Sequence, residues 1–334
     1  MNLSTNPLGP TGFQTTRVGF GAWAIGGTWG EVTEADARAT LHAALDGGVN
    51  FIDTADVYGD GRSERIIASV VAERGRVGPH HRPFVATKAG RRLNPHLAEG
   101  YTLANLDAFI DRSRANLQMD RLDLVQLHCP PTWVYTDARV YDALETLKAR
   151  GRIAHYGVSV ATIDEAMAAL RHPGIASVQI IYNLFRQRPA DSFFAAAKAA
   201  NVAVIARIPL ASGLLTGKMT ATTHFAADDH RSFNRDGAAF DKGETFSGVP
   251  YDVALQAVDA LRPLVPHGTP MAAFALRWIL MADAVSVVIP GARTPAQATA
   301  NVQADALPPL PPETMEAARE IYTRLIAPHV AHLW

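Results

Sequence analysis

Asp53 and Tyr58 lie in "FIDTADVYG", Lys88 ends "VATK", and His128 ends "VQLH". Each follows a short apolar run and stands where a loop should begin. Singly they have ordinary readings, since acids and glycines punctuate turns and a lysine at a strand end is commonly solvated. Together they are an acid–base set suited to a carbonyl group. A free phenol titrates near about 10, too high for easy proton exchange at neutral pH. An ammonium beside it favours the phenolate and lowers that value, and a carboxylate keeps a buried ammonium charged. Asp53 and Lys88 can supply this couple for Tyr58, and His128 can orient a carbonyl oxygen through a ring N–H. None of the four is a reductant, so a hydride has to come from a cofactor. A metal is not expected: Cys129 is the one cysteine in the chain, and no histidine stands at ligand spacing from His128.

Such residues cooperate only if the elements carrying them converge. Eight apolar runs recur along the chain: "RVGFGAW", "VNFIDTA", "PFVATKAG", "LDLVQLHC", "IAHYGVSVA", "IASVQIIYN", "VAVIARIPL" and "AVSVVIPGA". They are short, rich in Val and Ile, and apolar on both faces, as parallel strands buried on both sides must be. Amphipathic stretches separate them. "EADARATLHAALDGG" spaces Ala37, Leu41, Ala44 and Leu45 helically, and "TLANLDAFIDRSRANLQM" puts Leu106, Phe109, Ile110 and Leu117 on one face behind Thr102 as N-cap. This alternation predicts an α/β protein, a (β/α)8 TIM barrel formed as a single domain over residues 1–334. A doubly wound open sheet is the alternative, but "GFGAWAIGG" misplaces the glycines of a dinucleotide fingerprint. In a barrel the C-terminal strand ends share one mouth, which adds Ser159, Gln179, Arg207 and Gly291 to the set. A long polar, glycine-bearing loop, residues 217–250, follows the seventh run, and a C-terminal helix with a loose tail closes the sequence.

With 48% hydrophobic and 19% charged residues, the 334-residue chain has ample material for a core. A formal net charge of −1 argues against nucleic acid as a partner. No apolar run approaches the ~18 residues of a membrane span. The first residues have no signal-peptide pattern, and a lone cysteine fits a reducing, cytoplasmic setting.

The motifs "GFGAW", "FIDTADVYG", "ATKAG", "LDLVQLH", "GVS", "PLASGLLTGK" and "IPGARTPAQ…N" occur in the order seen in the aldo-keto reductases, and the chain resembles that superfamily from about Thr16 to Asn301. The resemblance implies an NADP(H)-dependent oxidoreductase that reduces aldehydes or ketones reversibly, with NADH left open as an alternative donor. It makes Asp53, Tyr58, Lys88 and His128 the catalytic tetrad, with Tyr58 as proton donor. It assigns Ser159 and Gln179 to the nicotinamide carboxamide and Arg207 to the position that stacks on the nicotinamide, with Gly21, Ala22 and Trp23 as further cofactor-binding residues. Leu210, Ser212, Leu214, Gly217 and Lys218 fall near the pyrophosphate, Gly291, Arg293 and Gln297 near the 2′-phosphate with Arg293 as the candidate anchor, and Asn301 at the adenine. Three departures stand out: Val160 follows Ser159 where the family usually has Asn, Arg207 replaces a stacking aromatic, and Gly291 and Gln297 replace cations. The loop, with Arg231 and Phe233, is expected to fold over the cofactor. Trp23, Trp29 and Trp133 are the candidate substrate-pocket residues, with Tyr135 and Trp334 as further aromatics. The loops show no evident carboxylate-binding cluster, which favours neutral substrates. A cofactor-sensing auxiliary subunit with little turnover, and a Schiff-base enzyme using Lys88, are the rival readings.

Overall fold

The computed structural model describes residues 3–27, 32–74 and 82–334. A small antiparallel hairpin comes first, β1 (Thr5–Pro7) with β2 (Gln14–Thr16). Eight parallel strands follow: β3 (Phe20–Gly21), β4 (Phe51–Asp53), β5 (Phe84–Ala89), β6 (Leu122–His128), β7 (Ile153–Ser159), β8 (Ile175–Ile181), β9 (Ala203–Arg207) and β10 (Val285–Val288). They pair strictly in chain order from β3 to β10. Parallel bridges Val18–Val288 and Gly21–Gly291 join the first strand region to the last, so the sheet closes on itself. Closure removes both sheet edges, and helices cover the outer face.

The eight apolar runs thus map one to one onto the barrel strands. "GFGAW" is shorter as a strand than expected, because a helical turn, Trp23–Gly26, begins directly after Gly21 and Ala22. The N-terminal hairpin was not anticipated. It serves as a floor: Leu8 and Phe13, flanking its turn, pack with Phe51, Phe84, Leu124 and Ile205 beneath the barrel interior. The helix predicted behind Thr102 spans Leu103–Leu117, with the Thr102 hydroxyl accepting from the Asn105 amide at 3.3 Å.

Alternation along the strands explains how the barrel positions polar groups. Residues i and i+2 share a face. Phe51 and Asp53 therefore point the same way on β4, as do Phe84, Ala86 and Lys88 on β5, and Leu124, Gln126 and His128 on β6. Each inward row is apolar at the bottom and polar at the top. Burying each Phe or Leu of the lower layer contributes roughly 1.5–3 kcal/mol, which offsets the cost of gathering charges above.

The turn carrying Tyr58 has little room. Gly59 is left-handed, at φ +60°, and a Cβ there would lie 1.9 Å from the Gly26 carbonyl oxygen. Gly26 in turn abuts the Tyr58 backbone and Cβ. Gly59→Ala is therefore expected to destabilise the fold by about 2 kcal/mol and to displace Tyr58. Urea unfolding checks this, and a loss below about 0.5 kcal/mol would mean that the turn accepts a side chain.

Candidate functional site

At the top of the barrel, Lys88 Nζ bonds Asp53 Oδ1 at 2.5 Å and the Thr54 carbonyl at 2.9 Å, and stands 3.4 Å from the Tyr58 hydroxyl. Lys88 is only 1% exposed. The other Asp53 oxygen accepts from Gln179 Nε2 at 2.7 Å and Gln126 Nε2 at 3.2 Å. His128 is buried and meets the Tyr58 ring edge-on, with centroids 5.9 Å apart. Four residues distant in sequence thus share one cluster, because β4, β5 and β6 are adjacent and end at the same level.

The electrostatics follow from burial and pairing. Burial alone would discharge Lys88, but Asp53 and then Tyr58 outweigh it, and the ammonium is held above its ordinary range. Burial lowers His128 far below the usual imidazole range, and Arg91, Lys88 and Arg207 add to this, so its ring is neutral. Tyr58 departs from the sequence expectation: burial raises its hydroxyl above the usual phenol range, and the opposing pull of Lys88 does not overcome it.

The covering of the mouth is the reason. The loop after β9 folds over it, with His230–Phe233 as a helical turn and Lys242–Glu244 and Phe246–Gly248 as tighter turns. Trp23 lies nearly parallel to Tyr58 at 5.9 Å and contacts His230 and Phe240 at 4.8 and 5.9 Å. Glu244 reaches in to pair with Arg91 and, at 3.4 Å, with Arg207. Those guanidiniums outweigh burial and hold Glu244 down to about 2. Arg207 also donates to the Val160 carbonyl at 3.0 Å.

The remaining predicted positions distribute unevenly. Gly21, Ala22, Ser159 and Gln179 are buried at the top of β3, β7 and β8. Where Gly21 passes β10, a Cβ would lie 2.6 Å from the Ile289 carbonyl oxygen. Leu210, Ser212, Leu214 and Gly217 form the turns after β9, and the Ser212 hydroxyl is engaged with the loop through the Glu244 carbonyl and the Phe246 amide. Lys218 is exposed nearby. Gly291, Arg293, Gln297 and Asn301 gather where β10 meets the helix Pro295–Gln303. There Gln297 accepts from the Arg293 amide at 2.8 Å, and Asn301 donates to the Gly291 carbonyl at 3.1 Å. Arg231 is paired with Asp229 at 2.5 Å and stacks on Phe225, while Phe233 is partly exposed.

Two expectations change, and a third concerns a residue that is not described. Trp133 is 80% exposed on a turn after β6, so it stands on the rim and does not wall a pocket. Trp29 lies outside the described residues. The tail is not loose: Trp334 stacks under Arg186 at 4.2 Å and donates to Asp241 of the loop at 3.1 Å. Sequence reasoning missed Gln126, Arg91 and Glu244. Gln126 was findable, since it shares a strand face with His128 and is the register partner of Lys88.

Asp56, between Asp53 and Tyr58, is fully buried, and both its carboxylate oxygens lack hydrogen-bond partners among the described residues. Burial, then the nearby Glu64, push its pKa from 3.8 up to about 7. A carboxyl raised in the folded state binds its proton more tightly there than in the unfolded chain. Its contribution to stability is whole below 3.8 and is lost as pH rises through about 7. The melting temperature should thus fall between those pH values, and Asp56→Asn should flatten that fall. Calorimetric melting across the range decides it, and parallel wild-type and mutant profiles would exclude Asp56 as the source.

Comparison with known proteins adds an independent finding. Residues 17–323 match the model of the aldo/keto reductase family. Aldo-keto reductase YhdN of Bacillus subtilis (strain 168) is 32% identical over 294 residues, 87% of this chain and 85% of that protein. The glycerol dehydrogenase AKR11B4 from Gluconobacter oxydans superposes with a TM-score of 0.76 at 31% identity, covering 99% of this chain and 97% of that one. Aldo-keto reductase yakc [NADP(+)] of Schizosaccharomyces pombe (strain 972) is 25% identical over 300 residues, 88% of this chain and 84% of that protein.

Proposed function

This chain belongs to the aldo/keto reductase family, and on that premise we propose that it reduces aldehydes or ketones to alcohols with NADP(H), Tyr58 giving the proton. The observation that carries the reading is the approach of Lys88 Nζ to the Tyr58 hydroxyl, 3.4 Å away, while Asp53 holds the same ammonium at 2.5 Å. NADPH supplies the hydride when bound. A reduced carbonyl oxygen is a far stronger base than a phenolate, so Tyr58 hands over its proton readily even with a raised pKa. The phenolate left behind lies beside an ammonium that burial and pairing keep charged. Neutral His128 donates one ring N–H to the carbonyl oxygen and fixes it near the phenol. The alcohol-oxidising direction needs the phenolate at the outset and is therefore favoured by alkaline pH.

The residue types present fit a nicotinamide dinucleotide phosphate. His128 Nδ1 and Arg207 Nε are buried without hydrogen-bond partners among the described residues, beside Ser159 and Gln179. Ser159, Gln179, Arg207, Gly21, Ala22 and Trp23 would hold the nicotinamide end. Lys218, with the turns from Leu210 to Gly217, would face the pyrophosphate, and Arg293, beside Gly291, Gln297 and Asn301, the 2′-phosphate. The NADP(+) in the name of the Schizosaccharomyces pombe relative supports the same choice of cofactor.

Tyr58→Phe should lower kcat/KM for NADPH-dependent aldehyde reduction by roughly a thousandfold, with quenching of tryptophan fluorescence by NADPH retained. Undiminished reduction by the mutant would remove Tyr58 from the proton-donor role. NADPH binding by the wild type without turnover on any carbonyl would return the auxiliary-subunit reading.

A further inference from the structure

Beside the Lys88–Asp53 pair, the mouth holds a second buried charge cluster. Arg91, on the segment leaving β5, donates to both oxygens of Glu244, with Nη1 at 3.3 Å from Oε2 and Nη2 on Oε1. Arg207, at the top of β9, places Nη1 3.4 Å from the same Oε1. One carboxylate is thus shared between two guanidiniums. The cluster is also felt at the candidate catalytic groups, since Arg91 and Glu244 act electrostatically on Tyr58, and Arg91 and Arg207 on His128.

Charge balance gives this cluster its meaning. Lys88, Arg91 and Arg207 are three cations, and Asp53 and Glu244 are the two anions within ion-pair distance of them, with Asp241 acting on Arg207 from farther off. Asp53 is committed to Lys88 and two glutamines. His128 is neutral and balances nothing. Arg207 Nε is buried with no hydrogen-bond partner among the described residues. A buried surplus of positive charge is costly unless an anion joins it. The planar fork of a guanidinium suits a carboxylate, which it can grip with two parallel hydrogen bonds. Glu244 comes from the covering loop, whereas Arg207 ends β9 and Arg91 stands two residues beyond β5.

Building on the carbonyl-reduction reading, we propose that Arg91, with the Nη1 edge of Arg207 that the guanidinium face toward the nicotinamide leaves available, forms a carboxylate subsite and that the preferred substrates are short carbonyl acids, in which the carboxylate replaces Glu244 on Arg91 while the carbonyl lies at Tyr58 and His128. Glu244 is then an internal occupant that keeps the two arginines compensated between turnovers. The two arginines were too far apart in sequence for this cluster to be seen there, and its presence reverses the expectation of neutral substrates.

Matched pairs test it: succinic semialdehyde against butanal, and 4-carboxybenzaldehyde against its methyl ester, each with NADPH. The wild type should prefer the acid of each pair. Arg91→Gln should reduce the acid-to-neutral ratio of kcat/KM about tenfold or more. Glu244→Gln should raise that ratio, because the competing internal anion is gone. Succinate, which has no reducible carbonyl, should raise the melting temperature of the wild type and not of Arg91→Gln. Arg91→Lys, which keeps the charge and loses the fork, should fall between. Far-UV circular dichroism verifies that each variant is folded. Equal efficiency on acid and neutral partners, or a lower ratio in Glu244→Gln, would overturn the subsite and leave the reductase reading intact. Absence of turnover on all four compounds and on a wider carbonyl panel would overturn both.

Discussion

The buried contact between Lys88 and Asp53 is the constraint around which the upper barrel is built. An ammonium with 1% of its surface exposed cannot remain charged on its own. Asp53 makes it tenable, but an ion pair in such a place also has to satisfy its remaining lone pairs. The two glutamines do this, and they come from β6 and β8. One carboxylate therefore ties together the ends of β4, β5, β6 and β8. Losing either ion would leave the other uncompensated, a cost of about 3–5 kcal/mol. A pair this expensive is poor at stabilising a fold that apolar residues could hold as well. Its presence makes sense through what it does to the phenol beside it.

The apolar lower half of the barrel is what allows that arrangement. Phe51, Phe84 and Leu124 occupy the same inward rows as Asp53, Lys88 and His128, one or two steps below them, and the N-terminal hairpin seals them from beneath. Packing in that layer fixes the strand register. Register fixes the height at which each polar side chain emerges, and a slip of one residue would turn every one of them outward. The catalytic geometry proposed for this chain is in that sense a property of its hydrophobic floor.

Much of this was legible in the sequence, because the signals are local. Eight short apolar runs, six of them with a polar residue near the C-terminal end, announce a barrel and its mouth, and all eight strands lie where those runs predicted. What escaped depended on long-range placement. Arg91 and Glu244 are 153 positions apart and meet through a loop with no periodicity to read. Trp334 contacts that loop through Asp241 and stacks on Arg186, contacts that no tail motif encodes. The sign of the Tyr58 shift escaped for a related reason. Its nearest charges were readable as Lys88 and Asp53, but the deciding quantity is how completely other segments exclude water from the phenol.

That sign bears on how the covering loop and the proton donor work together. Trp23 lies against Tyr58, and His230 and Phe240 of the loop lie against Trp23. A closed loop thus raises the cost of a phenolate by removing water, while Lys88 lowers it by charge. Burial prevails over Lys88 and holds the phenol above its usual range, the protonated state that the proposed proton donor requires. Glu244 acts in the same direction, since its negative charge near the mouth also disfavours the phenolate. On the carboxylate-subsite proposal, exchanging it for a substrate carboxylate would preserve that charge. Tyr58 and the pair of arginines are therefore linked through a single loop, which supplies both the cover over Trp23 and the carboxylate between the two guanidiniums.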